Sequence, residues 1–164
     1  MTTHEWVRLT EHQKNIIIKH QSSVPVKLGE IAKDFGLQVK LATLPANISG
    51  QIKEDINVVT IKINRHDVKA RQRYTLAHEI AHFLLHKHLL REGISDDVLY
   101  RSTQSNEIEA EANRLASDII MPEKVIDELY KKHYKGKKDA QLYESIAAEL
   151  EVSTTALKIR LGLK

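Results

Sequence analysis

The stretch from Asp67 to His88 constrains the fold more than any other, because it combines the pattern of a long helix with a cluster of histidines. Four of the nine histidines in the 164-residue chain lie within it. On a helical wheel, one narrow sector holds the polar side chains of its second half: Thr75, His78, Glu79, His82 and His86. The other positions between Thr75 and His86 are apolar, whereas a surface helix would show a broad polar face. The sequence therefore predicts a buried helix whose polar stripe must find partners inside the protein.

His78 and His82 begin and end an HExxH motif, in which Glu79 follows the first histidine. Residues four apart lie on the same face of a helix, so both imidazoles can face one metal ion. Glu79 lies beside them, where it can take a proton from a water molecule at the metal without being a ligand. Core histidines bonded to neighbours would also fit the stripe, but burying two imidazoles and a carboxylate together is costly unless they are paired or bind a metal. We therefore expect one zinc ion at His78 and His82, with Glu79 as the catalytic base.

The third ligand is expected to be a histidine or a carboxylate, because a catalytic zinc site usually has three protein ligands and the chain has no cysteine. A predicted helix over Asn106–Met121 carries three glutamates, Glu107, Glu109 and Glu111. The buried face of this helix is defined by four apolar residues: Ile108, Ala112, Leu115 and Ile119. Glu109 lies on one flank of that face and is the expected ligand. Asn113 follows one turn later on the same side, where its amide can bond a ligating histidine or the carboxylate.

The opposite flank of the same helix is predicted to face solvent. It carries Glu107 and Glu111 together with Arg114 and Asp118, a charged strip of the kind that water solvates. The two glutamates near the helix N-terminus are also favoured by the helix dipole. Neither is therefore expected to bind the metal.

Periodicity along the rest of the chain indicates helices, then a small sheet, then more helices. The other predicted helices are Glu5–His20, Val26–Phe35, Glu123–Tyr134, Ala140–Glu149 and Ser153–Leu161. The predicted strands are Leu37–Leu41, Ile48–Lys53 and Ile56–Ile63, the last two forming a hairpin around Glu54 and Asp55. The pattern of Arg91–Ser105 is that of a loop. This order predicts an α+β fold in which a small antiparallel sheet packs with helices. We expect a single domain over residues 1–164, with its core at about 24–122 and a helical C-terminal segment at about 139–164.

Composition narrows the class of protein further. The net charge of +3 is too small to indicate nucleic-acid binding by itself. The longest apolar runs, such as Ile16–Ile18, are too short to span a bilayer, and Met1–Thr10 lacks the apolar stretch of a secretory signal. With no cysteine available for disulfides, these features predict a cytoplasmic protein that does not enter membranes.

The C-terminal segment contains a helix-turn-helix-like pattern at Ile146–Leu157, in which Ser153 can cap the second helix. Glu151 stands at the turn position where glycine is preferred, and only Lys158 and Arg160 are basic on the following helix. An element that reads DNA needs more phosphate contacts than these. The pattern therefore favours helices that pack on the core and argues against direct DNA binding.

Two segments resemble the ImmA/IrrE family of metallo-endopeptidases. Arg71–His86 reads RQRYTLAHEIAHFLLH, and Glu109–Pro122 reads EAEANRLASDIIMP. The close similarity spans Arg71–Pro122, and a looser one covers Val26–Ile63. Leu115 stands where the family usually has phenylalanine, an apolar exchange that leaves the chemistry of the site unchanged.

The resemblance implies a gluzincin-like fold in which His78, His82 and Glu109 hold the zinc ion and Glu79 is the base. It also implies a cytoplasmic hydrolase that cleaves a helix-turn-helix repressor, or binds and inactivates it, and so derepresses the genes under its control. Peptidases further need a donor for the oxyanion. The sequence leaves that donor open among four residues: His86, His88, Tyr100 and Arg101. His86 is also a candidate for supporting a metal ligand from behind or for a place in the core.

Two functions of other classes are compatible with the same residues. A non-proteolytic regulatory module would use the metal site for stability or sensing and would bind its repressor, or DNA, without cutting it. A toxin–antitoxin-type module would use the site on another substrate. Glu79 favours the enzyme, because a purely structural zinc site has no need of a base beside its ligands.

Overall fold

The β-branched and apolar runs of the first half of the chain form most of a single β-sheet. In the computed structural model, which describes residues 2–96 and 106–163, four strands lie in the order β1–β3–β2–β4. Their bounds are β1 Gln38–Ala42, β2 Gly50–Asp55, β3 Val58–Asn64 and β4 Ile94–Asp96. The α+β fold class predicted from the sequence is confirmed.

The sheet is mixed, and the prediction of an antiparallel sheet is wrong in this detail. The β2–β3 and β2–β4 pairs are antiparallel, but β1 runs parallel to β3, with Val39 opposite Ile61 and Leu41 opposite Ile63. The β2–β3 hairpin places β3 between β1 and β2, so the chain leaving β1 passes over β3 before it starts β2. Periodicity identifies strands but does not reveal which edge of a hairpin a preceding strand will join.

The hairpin turn lies two residues later than the sequence predicted. Glu54 and Asp55 belong to β2, where they pair with Val59 and Val58, and the turn consists of Ile56 and Asn57. Both turn residues have positive φ, at 48° and 63°, as a two-residue hairpin turn of the primed type requires. Asparagine tolerates this conformation well, so Asn57 is the local signal for the true turn position.

The helices follow the predicted order with one division. They are α1 His4–Val7, α2 Glu11–His20, α3 Leu28–Asp34, α4 Lys69–Leu85, α5 Asn106–Ile120, α6 Glu123–His133, α7 Asp139–Leu150 and α8 Thr154–Arg160. The single helix predicted over Glu5–His20 is split, because Thr10 and Gln13 form a capping box that starts α2. Within the described residues, none of these helices has the length and apolar character needed to cross a membrane.

Helix α4 forms the centre of the molecule, packed between the sheet and α5. Its Ile80 is fully buried, as are Ile52 and Ile61 on the sheet and Leu115 on α5. Seven residues of α4 between Thr75 and His82 are buried, including both motif histidines and Glu79. The apolar helix thus lies in the core as its sequence predicted, and it carries its polar stripe into the protein interior.

The charged strip on α5 is not solvated as predicted, because the chain termini cover part of it. Asp118 is buried and pairs with Arg160 of α8 at 2.8 Å, and it also accepts a hydrogen bond from the hydroxyl of Thr3. The Glu5 carboxylate binds Arg114 at 2.8 Å. A helical wheel of α5 alone cannot reveal partners that other, distant segments of the chain contribute.

Candidate metal centre

Four side chains from three elements meet at one point next to the sheet. His78 and His82 come from α4, Asp96 from the end of β4 and Glu109 from the first turn of α5. One ligand atom of each lies within 4.8 Å of the others. The two Nε2 atoms are 3.1 Å apart, and the carboxylate of Glu109 is 2.9 Å from His78 Nε2 and 3.2 Å from His82 Nε2. Four donors this close together suit a single metal ion.

The three glutamates at the start of α5 have different positions. Glu109 faces the two histidines, whereas Glu107 is exposed to solvent. Glu111 is half-buried and binds His86 at 3.0 Å and Arg8 at 2.6 Å, so the prediction that it faces solvent is wrong. Of the three, Glu109 alone reaches the metal-site histidines among the contacts of the described residues. This is the residue that the helical wheel selected as the ligand.

Asp96 belongs to the centre although the sequence did not predict it as a ligand. It is fully buried, and its Oδ2 lies 3.4 Å from His78 Nε2 and 3.2 Å from His82 Nε2. The sequence pattern assigned it to a loop, because a three-residue strand is too short for periodicity to detect. The only local signal is that Ile94 and Asp96 flank Ser95, as alternate residues on one face of a strand would.

Each motif histidine is held from behind through its second ring nitrogen. The Oδ1 atom of Asn113 is 2.9 Å from Nδ1 of His78 and accepts its proton, which leaves Nε2 free to bind a metal. Asn113 therefore occupies the supporting position that the sequence assigned to it.

A series of side-chain hydrogen bonds, leading away from the centre, supports His82. Its Nδ1 is 2.9 Å from Nδ1 of His86, and Nε2 of His86 is 3.0 Å from Glu111. When Glu111 accepts the Nε2 proton of His86, the His86 Nδ1 atom can accept from His82, whose Nε2 is then unprotonated. Burial lowers the pKa of His86 and so favours its neutral form. Both nitrogens of His86 are thus engaged behind His82.

Of the other three oxyanion candidates, His88 is the one within the described residues. It is exposed beyond the end of α4. Tyr100 and Arg101 lie outside the described residues. The donor for the oxyanion therefore stays a prediction without a chosen residue.

Glu79 occupies a tight pocket against the sheet. It is fully buried, and a Cβ atom at Gly50 of β2 would lie 3.0 Å from its Oε2 and 2.5 Å from Cγ2 of Thr75. Only glycine leaves the space that this carboxyl group occupies. Burial, together with the negative charges of Asp96 and Glu109, raises the pKa of Glu79 well above its ordinary value. Without a metal, these surroundings therefore favour the protonated form of Glu79.

The carboxylates in the centre accept few hydrogen bonds for groups so deeply buried. Among the described residues, both oxygens of Asp96 and Oε1 of Glu109 have no hydrogen bond of good geometry. Burial opposes ionisation of Asp96, but the neighbouring Glu79, His78 and His82 outweigh burial and hold the pKa of Asp96 well below its usual range. Buried carboxylates so poorly hydrogen-bonded are costly unless a cation compensates them. The centre therefore has the donors and the charge to hold a divalent metal ion.

Metal binding is expected to release protons at neutral pH. Burial disfavours the charged form of His78, but the carboxylates of Asp96 and Glu109 outweigh it and raise the pKa of His78 to about 9. Below that pH the metal-free histidine carries a proton that the ion must displace. Affinity should therefore rise with pH up to about 9, by about tenfold per unit for each proton released. Calorimetry at pH 7 in buffers of different ionisation enthalpy should detect at least one proton released per ion. Binding without proton release would contradict the assignment of His78.

Replacing Glu109 by glutamine should weaken metal binding by about tenfold or more, because the amide is a poorer ligand than the carboxylate. Glu107→Gln is the matched control, since Glu107 lies two residues earlier on the same helix and is exposed. The measurement is a competition titration against a chromophoric chelator. Equal affinity for Glu109→Gln and the wild type would remove Glu109 from the ligand set.

Comparison with known proteins agrees with the geometry of the centre. Residues 32–162, most of the chain, match the family model Peptidase_M78, described as the IrrE N-terminal-like domain. The matched segment includes both motif histidines, Glu79, Asp96 and Glu109. No curated protein shows a significant match to the chain.

Proposed function

Because the chain belongs to the Peptidase_M78 family by its IrrE N-terminal-like domain, and so has a metallopeptidase-type function, we propose that it is a zinc-dependent endopeptidase. Its substrate in this proposal is a cytoplasmic protein regulator, most simply a helix-turn-helix repressor whose cleavage derepresses the genes it controls. Three observations support this function: the family of the chain, the geometry of the metal donors, and the resemblance of Arg71–Pro122 to the ImmA/IrrE proteins.

The observation that carries the proposal is the position of Glu79 beside a set of metal donors. His78 and His82 direct Nε2 atoms 3.1 Å apart to one point, and Glu109 approaches both. A tetrahedral zinc ion with bonds of about 2.0–2.1 Å needs neighbouring ligand atoms about 3.3–3.4 Å apart. The observed separations of 2.9–3.2 Å are close to that value. Two histidines and a carboxylate are also a common ligand set of catalytic zinc sites.

The metal, when bound, would acidify a water molecule and polarise the scissile carbonyl group. The residues of the chain then have separate roles. Asn113 and the His86–Glu111 pair orient the two imidazoles and fix which nitrogen carries a proton. Glu79 takes the proton of the attacking water as the new carbon–oxygen bond forms, and it gives that proton to the leaving amine. The buried position of Glu79 keeps it directed at the centre and away from bulk water.

The edge of the sheet next to the centre can align an extended substrate. β4 pairs with β2 on one side and is an edge strand of the described sheet. Peptide chains bind such edges through main-chain hydrogen bonds, and this favours a polypeptide substrate. The strand predicted over Ile56–Ile63, by contrast, has neighbours on both sides and offers no edge.

The direct test is incubation of the zinc-loaded protein with helix-turn-helix repressors of the same organism, followed by mass spectrometry of the products. We expect two fragments that sum to the repressor plus one water. The metal-free protein is the control and should leave the repressor intact. Binding of an intact repressor by the zinc-loaded protein, with no fragments, would instead support the non-proteolytic regulatory module.

A further inference from the structure

Asp96 lies where a catalytic metal centre usually keeps a position open. Three protein ligands with one exchangeable position are typical of catalytic zinc, whereas four protein ligands are typical of structural sites. We propose that Asp96 is a fourth protein donor, which closes the centre at rest and must withdraw before a substrate carbonyl can reach the ion. This inference rests on the proposed function and concerns how the same site is regulated.

The Asp96 carboxylate approaches the same two nitrogens as Glu109 does. Its Oδ2 lies 3.4 Å from Nε2 of His78 and 3.2 Å from Nε2 of His82. These two separations match the edge of about 3.3–3.4 Å expected between ligands of a tetrahedral zinc ion. One ligand atom of each of the four side chains lies within 4.8 Å of the others. A carboxylate this close is within reach of an ion held by the other three side chains, where it would take the place of the exchangeable ligand.

Within the described residues, the Asp96 carboxylate faces the other groups of the centre: the two histidines and the carboxyl group of Glu79. The side chain is fully buried, and neither of its oxygens has a hydrogen bond of good geometry among the described residues. A buried carboxylate so poorly hydrogen-bonded is retained at a cost unless it faces a cation. His78 and His82 are the nearest basic groups, and they are themselves expected to be neutral when a metal is bound.

The position of Asp96 in the sheet allows its side chain to leave the metal locally. Asp96 is the last residue of β4, which is joined to β2 through only three residue pairs. Ile94 at the other end of the strand is buried and anchors it, and the main chain of Asp96 accepts a hydrogen bond from Ser49. Rotation of the Asp96 side chain would therefore free the metal without unfolding the sheet. His78 and His82, by contrast, are held through their second ring nitrogens by Asn113 and His86.

The test compares Asp96→Ala and Asp96→Asn with the wild type. Asp55→Asn is the matched control, since Asp55 is an exposed aspartate on the neighbouring strand β2. Zinc affinity is measured by competition with a chromophoric chelator, and each cobalt-loaded protein is titrated with acetohydroxamate while its visible spectrum is recorded. Circular dichroism of the metal-free proteins checks folding, and Asp96→Asn is used if the alanine variant is unfolded.

We expect the Asp96 variants to bind zinc about tenfold or more weakly, in line with the loss of a ligand. We also expect them to bind acetohydroxamate at concentrations at least tenfold lower than the wild type does, because the closed position has been opened. Asp55→Asn should match the wild type in both measurements. Unchanged zinc affinity together with unchanged acetohydroxamate affinity would overturn the inference and leave Asp96 as a neighbour of Glu79 only.

Failure of the inference about Asp96 and failure of the proposed peptidase function would give different results. If the Asp96 variants lose zinc affinity and gain acetohydroxamate binding, but the wild type cleaves no repressor, the closed centre is supported and the peptidase function is wrong. If the wild type cleaves the repressor while the variants match it in both binding measurements, the peptidase function is supported and the inference about Asp96 is wrong.

Discussion

Glu79→Gln should abolish cleavage of the substrate while leaving the metal content at the wild-type value. Glutamine has nearly the shape of the protonated glutamic acid, so it fits the pocket beside Gly50. Its amide cannot accept the proton of the attacking water, and loss of a general base typically lowers a rate by about 10²–10⁴-fold. Because Glu79 is expected to support catalysis and not to bind the metal, zinc affinity should change little.

The measurements are the rate of repressor cleavage and the zinc content of the same preparations. Glu128→Gln, an exposed substitution on α6, is the control and should behave as the wild type does in both. A Glu79→Gln variant that cleaves at the wild-type rate would show that the proposed mechanism is wrong. A variant that has lost its metal would instead place Glu79 in the ligand set.

His78→Ala and His82→Ala should each remove the metal and the stability that it provides. A ligand present at about 100 times its dissociation constant stabilises the native state by about 2.7 kcal/mol. For a domain of this size, each kcal/mol corresponds to roughly 2–4 °C in melting temperature. Zinc should therefore raise the melting temperature of the wild type by roughly 5–10 °C and leave that of both variants unchanged.

Comparing each protein with and without zinc separates metal binding from the packing lost by the substitution itself. Alanine at these buried positions will also lower the melting temperature of the metal-free protein, so only the zinc-dependent difference is informative. His12→Ala, an exposed change on α2, should retain the full zinc-dependent increase. An undiminished increase in both His78→Ala and His82→Ala would contradict the ligand assignment.

The central helices could be predicted from the sequence because their patterns are local. The apolar surroundings of His78 and His82 indicated a buried helix, and the wheel of α5 directed Glu109 rather than Glu107 towards the centre. Asn113 followed from the same geometry, one turn after Glu109. In each case, the spacing along a single helix contained the information.

The parts that could not be predicted depend on contacts between distant segments. Asp96 reaches the centre because β4 joins the edge of the sheet, and three residues carry too little pattern to indicate a strand. Asp118 is buried because Arg160 and Thr3 cover it from the two ends of the chain. The parallel pairing of β1 likewise arises from the path of the chain over β3, which no local pattern encodes.

The proposed metal centre is tested most directly by a crystal structure of the zinc-loaded protein with anomalous diffraction data collected at the zinc absorption edge. One strong anomalous peak is expected at about 2.0–2.2 Å from Nε2 of His78, Nε2 of His82 and a carboxylate oxygen of Glu109. No peak between these three side chains, or a peak bound only by other residues, would contradict the proposed metal centre.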